Sequence, residues 1–202
     1  MGSQRRMARR GLIAALIATG VPLAMTSRAT AAADPVQTGN TLVAAAASPE
    51  ANWGGHQARI VDTPTGLYTT YTSGTEELAQ TWHLMRMGAD GGWSEAASGG
   101  AGREPANLLV GPDGRLFVVA SPSGVVTLFT ATPTTNGPVT FTSAAIPGSI
   151  EGYWQYLSAG IDEVGDLCVV TSNGGNSEIG ELYVLCRRAG QTTWNSTMYP
   201  TE

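Results

Sequence analysis

The sequence predicts an all-β protein assembled from β-propeller-type blades, about three four-stranded antiparallel sheets one after another. Three observations carry that expectation. A strand-turn-strand unit recurs about every fifty residues, each unit turns on a glycine, and the composition is rich in glycine and poor in charge.

The recurring unit is an apolar strand, a turn of Pro, Asp and Gly, and a second strand. Its first copy runs through 58–61, 62–66 and 67–71, its second through 107–110, 111–114 and 116–119, and its third through 157–161, 162–165 and 167–170. β-Branched and aromatic residues flank turns whose glycines Gly66, Gly114 and Gly165 are able to take a positive φ, the signature of a hairpin. Leu67, Leu116 and Leu167 hold the same place in each copy, 49 and 51 residues apart. The second half of the unit repeats as well. Trp82, Leu84, Arg86 and Trp93 align with Tyr183, Leu185, Arg187 and Trp194, the last tryptophans being 101 residues apart. The middle copy is looser there, with strands at 125–129 and 139–141. Four strands in about fifty residues make one blade, which gives blades at about 51–100, 101–150 and 151–202. Three blades do not close a ring and leave outer faces and edges bare. The expectation is therefore an incomplete propeller, continued by further blades beyond Glu202 or completed by a second copy in a homodimer.

Composition narrows the partners. Of 202 residues, 26 are glycine and 11 proline, with charged residues at 13% and aromatics at 7%. All eleven basic residues are arginine, and five of them precede residue 34. All sixteen acidic residues lie at or after Asp34, so residues 34–202 hold six arginines against sixteen carboxylates, a net charge of −10. Such a surface repels phosphate backbones and anionic bilayers, which argues against nucleic-acid or membrane partners.

The first 33 residues read as a twin-arginine-like signal peptide of bacterial type. Arg5-Arg6 and Arg9-Arg10 form a basic start, residues 12–18 are apolar, and Ala31-Ala32-Ala33 supplies small residues for cleavage. Gly20, Pro22 and Arg28 interrupt the apolar run, which is short for a membrane span, so cleavage is favoured over the alternative of an uncleaved anchor. The mature protein is expected to be exported, secreted or periplasmic, with no membrane attachment after cleavage. Residues 34–50, rich in Ala, Thr and Ser, read as a linker.

Cys168 and Cys186 are the two cysteines, on consecutive strands joined by a Gly/Asn-rich loop. A hairpin centred near residue 177 sets 168 opposite 186, so a cross-strand disulfide and a pair of buried thiols are both open readings. Neither has further His or Cys at metal-ligand spacing, and no phosphate-binding glycine loop, nucleophile elbow or zinc motif occurs, so no metal or cofactor is expected.

Propellers bind ligands where their innermost strands begin. Counting back from the turn glycines places His56, Glu104 and Gln155 at one level and Arg59, Asn107 and Ser158 at another. Arg103, Tyr153, Trp154 and Tyr156 are their neighbours. Aromatic faces there would stack on a sugar ring, while Arg and Asn would bond hydroxyls and carboxylates. His56, Arg59, Arg103, Glu104, Asn107, Tyr153, Trp154 and Gln155 are accordingly the candidate ligand-binding residues. His83, alternating beside Trp82, reads as structural, and Glu76 and Glu77 read as surface.

His56 to Val61 followed by Thr63-Pro64-Thr65-Gly66 resembles the opening blade of sialidase-like propellers with BNR repeats. In that family an Arg-Ile-Pro stretch supplies one arginine of a carboxylate-binding triad. Arg59-Ile60 matches two of its three residues, with Val61 in place of proline. The family's Asp-box, Ser-x-Asp-x-Gly-x-x-Trp, is degenerate near Trp93, where Asp90 stands too close to the tryptophan, and lacks its Asp near Trp194. The resemblance implies an exported protein that binds or cleaves carbohydrate, acidic glycans in particular, with Arg59 as the carboxylate ligand. If it is an enzyme, a sialidase-like glycoside hydrolase is implied. A non-catalytic binding or scaffold propeller is the alternative, and a polysaccharide lyase using His56 with Tyr153 or Tyr156 is the second.

Overall fold

The computed structural model describes residues 59–76, 79–149, 155–173 and 181–200, all within one unit, Asn40–Glu202. The signal-peptide and linker segments, His56, Tyr153 and Trp154 lie outside the described residues.

The described residues form three four-stranded antiparallel sheets, each a meander in chain order. The first holds β1 (Ile60–Thr63), β2 (Gly66–Ser73), β3 (Thr81–Met87) and β4 (Trp93–Gly100). The second holds β5 (Asn107–Val110), β6 (Leu116–Ala120), β7 (Thr127–Ala131) and β8 (Thr142–Ala145). The third holds β9 (Gln155–Ile161), β10 (Leu167–Asn173), β11 (Glu181–Arg187) and β12 (Asn195–Pro200). These are propeller-type blades, and the single helical element described is a 3-10 turn, Pro122–Gly124. Gly66, Gly114 and Gly165 turn the first hairpin of each blade with φ of 133°, 77° and 93°, a region that residues with a Cβ rarely adopt.

Strand β5 lies against both β1 and β9, so the second blade is packed on both faces. That position explains its sequence. The run Leu116-Phe117-Val118-Val119-Ala120 is apolar at every residue because alternate side chains enter two different cores. Leu116, Val118 and Ala120 join Tyr68, Trp82 and Leu84 of the first blade, whereas Phe117 and Val119 join Leu157, Leu167 and Leu185 of the third. Among the described residues strand β2 faces a neighbour on one side only, and its burial alternates along Tyr68, Thr70 and Thr72. Each fully buried Leu, Val or aromatic contributes about 1.5–3 kcal/mol to holding the blades together.

Strand register corrects one part of the repeat alignment. Tyr71 pairs with His83 and Thr171 with Tyr183, so His83, and not Trp82, is the counterpart of Tyr183. Tyr68 pairs with Arg86 where Cys168 pairs with Cys186, which makes Arg86 the counterpart of Cys186 and leaves Arg187, opposite Leu167, in the place of Met87. The tryptophans do correspond: Trp93 faces Met87, and Trp194 precedes Asn195, the partner of Cys186. The cause is the last turn, 88–92 in the first blade and 188–193 in the third. One extra residue there moves the tryptophan spacing away from that of the strands before it. Because a one-residue shift reverses a side chain's face, Arg86 and Arg187 point in opposite senses relative to their own blades.

Cys168 and Cys186 sit directly opposite each other on β10 and β11 and are joined by a disulfide.

Candidate functional site

At the starts of the inner strands the chain uses its polar groups on itself. Asn107 is fully buried; its Nδ2 donates to the Leu157 carbonyl at 3.4 Å, and its Oδ1 accepts the Ala159 N–H at 3.3 Å. Both polar atoms thereby stitch β5 to β9. Glu104 is buried, and its charge reaches Arg59, whose pKa is pushed down by burial against the opposing pull of that carboxylate. Arg59, Arg103, Glu104 and Ser158 all have partners within the chain. The structure thus brings Arg59 and Glu104 into electrostatic contact and places Asn107 between two blades. Gln155 begins β9.

A second polar concentration lies at the opposite ends of the strands, where the β5–β6, β9–β10 and β11–β12 turns meet. These turns border a groove of about 500 Å³ between the second and third blades. Arg115, Arg187 and Arg188 line it, with Phe117 and Ile161 at its floor and Gly165 and Gly190 at its rim. Arg115 follows the Gly114 turn; its Nε bonds Asp113 Oδ2 at 2.5 Å, and its guanidinium lies 5.6 Å over the Phe117 ring. Arg188 pairs with Asp166 Oδ2, while Asp166 Oδ1 accepts the Ala189 N–H at 2.8 Å, so one carboxylate ties two turns. The Ala189 N–H and the Arg188 guanidinium hold the Asp166 pKa below the usual carboxylate range. Asp113 is also lowered: desolvation opposes ionisation, but hydrogen bonds from Arg115 and its charge outweigh it. Both carboxylates therefore stay ionised, and the ties persist, until pH falls below the ordinary carboxylate range.

Arg187 differs from its two neighbours. It is half-buried, its guanidinium lies 5.2 Å over the Trp194 ring, and no carboxylate among the described residues pairs with it. Burial, and then the like charge of Arg115, push its pKa down. A half-buried cation facing another cation is stabilised by any anion that enters between them.

The groove between the first and second blades shows the opposite design. There Arg86 stacks 5.5 Å over Tyr68 and donates to three carbonyls of the β7–β8 loop: Thr134 at 3.1 Å, Thr135 at 2.8 Å, and Gly137. This arginine is a clamp on the chain itself. Lysine lacks the planar fork that spans three acceptors. Arg86→Lys is expected to cost about 1 kcal/mol and to raise amide exchange selectively in residues 132–141, measured by hydrogen-exchange mass spectrometry. Uniform exchange across both blades would remove the clamp from the account.

The sequence reading did not single out the groove arginines. Each is unremarkable as a spacing. They converge only once the turn geometry and the Leu167–Arg187 pairing are known. The detectable signal was scarcity: three of the six arginines in residues 34–202 fall at hairpin turns of one strand end. Among the described residues no group of three His, Cys, Asp or Glu side chains is placed to hold a metal ion.

Fold and groove together define a blade-built β protein with a cationic groove at one end of its hairpins. No known protein family, curated protein or solved structure matches the chain.

Proposed function

We propose that the chain is an exported binding protein for acidic carbohydrate and that the groove of Arg115, Arg187 and Arg188 is its ligand site. One observation carries the reading: three of the six arginines in the strongly acidic segment 34–202 line one groove, and one of them has no carboxylate partner among the described residues. Planar guanidinium groups bind carboxylates in two-point fashion, and a groove of about 500 Å³ holds roughly one or two sugar rings. Asp113, Gln191 and Thr192 add groups able to bond sugar hydroxyls. A net charge of −10 over residues 34–202 disfavours long phosphate polymers while leaving a short uronate segment free to enter a local cationic site. The signal-like N-terminus and the Cys168–Cys186 disulfide support an oxidising, extracytoplasmic setting. The sialidase-like resemblance supports the glycan assignment through Arg59, at the other end of the strands, so the two arginine positions are separable by mutation.

Isothermal titration with oligogalacturonate and with neutral maltooligosaccharide tests the reading. Binding of the acidic sugar alone is expected, weakening as salt rises. Arg187→Ala is expected to reduce affinity at least about tenfold, and Arg59→Ala to leave it unchanged. Equal binding of neutral and acidic sugars, or full affinity in Arg187→Ala, would overturn it. Release of reducing ends during titration would instead favour a hydrolase, and a rise in unsaturated-uronate absorbance a lyase.

A further inference from the structure

On the face of the first blade turned away from the second, three adjacent strands bring together a serine, a histidine and a glutamate. Ser73 Oγ lies 2.7 Å from His83 Nε2, and His83 Nδ1 lies 2.9 Å from Glu95 Oε2. With the imidazole proton on Nδ1, that N–H donates to Glu95 and Nε2 accepts the Ser73 hydroxyl proton. This is the order of contacts that activates a hydroxyl nucleophile: nucleophile to base, base to orienting carboxylate.

The register shows how the strands produce it. Tyr71 pairs with His83, so Ser73, two residues on, is a diagonal neighbour on the same face. Glu95 reaches that face through a bulge. The β3–β4 register shifts between Leu84 and Met85, so that Leu84 faces Ala97 and Met85 faces Glu95. In an unbroken ladder Glu95 would oppose Arg86 and point toward the second blade. Tyr71 stacks on the imidazole at 4.6 Å and 9° between planes, fixing the ring's orientation. The His83 side chain is 17% exposed and that of Glu95 46%. Ser73 ends β2, and Gly74, Thr75 and Glu76 after it are exposed, which opens the hydroxyl to approach from the strand end.

We propose that Ser73, His83 and Glu95 form a hydrolytic site for acyl esters, separate from the arginine groove. Ser73 Oγ adds to the ester carbonyl carbon as its proton passes to His83 Nε2. The carbon–oxygen bond to the alcohol then breaks, and the alcohol leaves with that proton. Water attacks the resulting Ser73 ester and gives a proton to Nε2. The bond to Ser73 breaks, the proton returns to Oγ, and a carboxylic acid departs. Glu95 keeps the imidazole in the required tautomer and is a positioning residue.

The test uses the full chain. A fluorophosphonate probe is expected to add once per chain, at Ser73, as located by peptide mass spectrometry, and heat-unfolded protein is expected not to react. Hydrolysis of 4-nitrophenyl acetate is expected to fall about 100-fold in Ser73→Ala and His83→Ala, with Glu95→Gln losing kcat at an unchanged KM. Binding of oligogalacturonate is expected to stay intact in Ser73→Ala, which separates this site from the groove. Absence of the Ser73 adduct from the unmutated folded protein, or hydrolysis undiminished in Ser73→Ala, would overturn the proposal.

Discussion

Trp82→Ala is expected to destabilise the chain by about 3–5 kcal/mol and to lower Tm by roughly 10 °C, the largest effect of any single substitution considered. Trp82 is fully buried at the junction of the first two blades. Its ring meets Phe129 and Phe141 edge-on, at 5.2 Å and 5.3 Å between centroids. Removing the indole therefore empties a cavity with two aromatic walls, which the backbone of two sheets resists filling. Trp82→Phe is expected to be milder, about 1–2 kcal/mol, because the indole N–H has no hydrogen-bond partner among the described residues and its loss breaks no bond. Gly99 sharpens the test. A Cβ at that position would lie 2.5 Å from Trp82 Cζ2 and 2.7 Å from Cε2. Gly99→Ala is thus expected to cost about 1–3 kcal/mol by overpacking. In the Trp82→Phe background, without the second ring, most of that cost is expected to vanish. Urea unfolding of the two single variants and the double variant measures the coupling. Strict additivity would move the strain to the β4 backbone.

How much of this was legible follows from which information is local. The first hairpin of each blade was legible, since a turn glycine with positive φ and flanking apolar strands are properties of a few consecutive residues. The Cys168–Cys186 level was legible too, because one hairpin centre fixes every pair along it. The Arg86–Arg187 correspondence was misread for a reason equally local: the β11–β12 turn is one residue longer, and spacing alone does not say on which side of a strand the extra residue falls. Ser73, His83 and Glu95 were out of reach. Their contact depends on a bulge at Ala96 that no alternation pattern announces, and His83 in an alternating strand reads as an ordinary sheet residue. The groove arginines depend on contact between the second and third blades, set by the burial of Phe117 against Leu157, Leu167 and Leu185, and the residues beside each arginine do not say which blades meet.

Breaking the disulfide is the second large effect. A Cys168→Ala/Cys186→Ala variant is expected to lose roughly 3 kcal/mol, the loop-closure value for cysteines 18 residues apart. The consequence extends to the groove, because Arg187 directly follows Cys186 and Arg188 follows it. The bond pins the end of β11 to β10 at the level where the strand hands its arginines to the β11–β12 turn. Without it, the strand ladder, the burial of Leu185 against Leu167 and Val169, and the Asp166 tie to Arg188 and Ala189 are left to hold that end in register. Affinity for oligogalacturonate, measured well below the variant's lowered Tm so that the protein stays folded, is expected to fall about threefold to tenfold, which is less than for Arg187→Ala. The two readouts separate two physical claims. A drop in stability with unchanged affinity means that packing alone orients Arg187 and the disulfide serves only the unfolded-state entropy. A drop in both means that the cross-link preorganises the guanidinium over Trp194, so that reduction of one bond both loosens the third blade and weakens its hold on an acidic ligand.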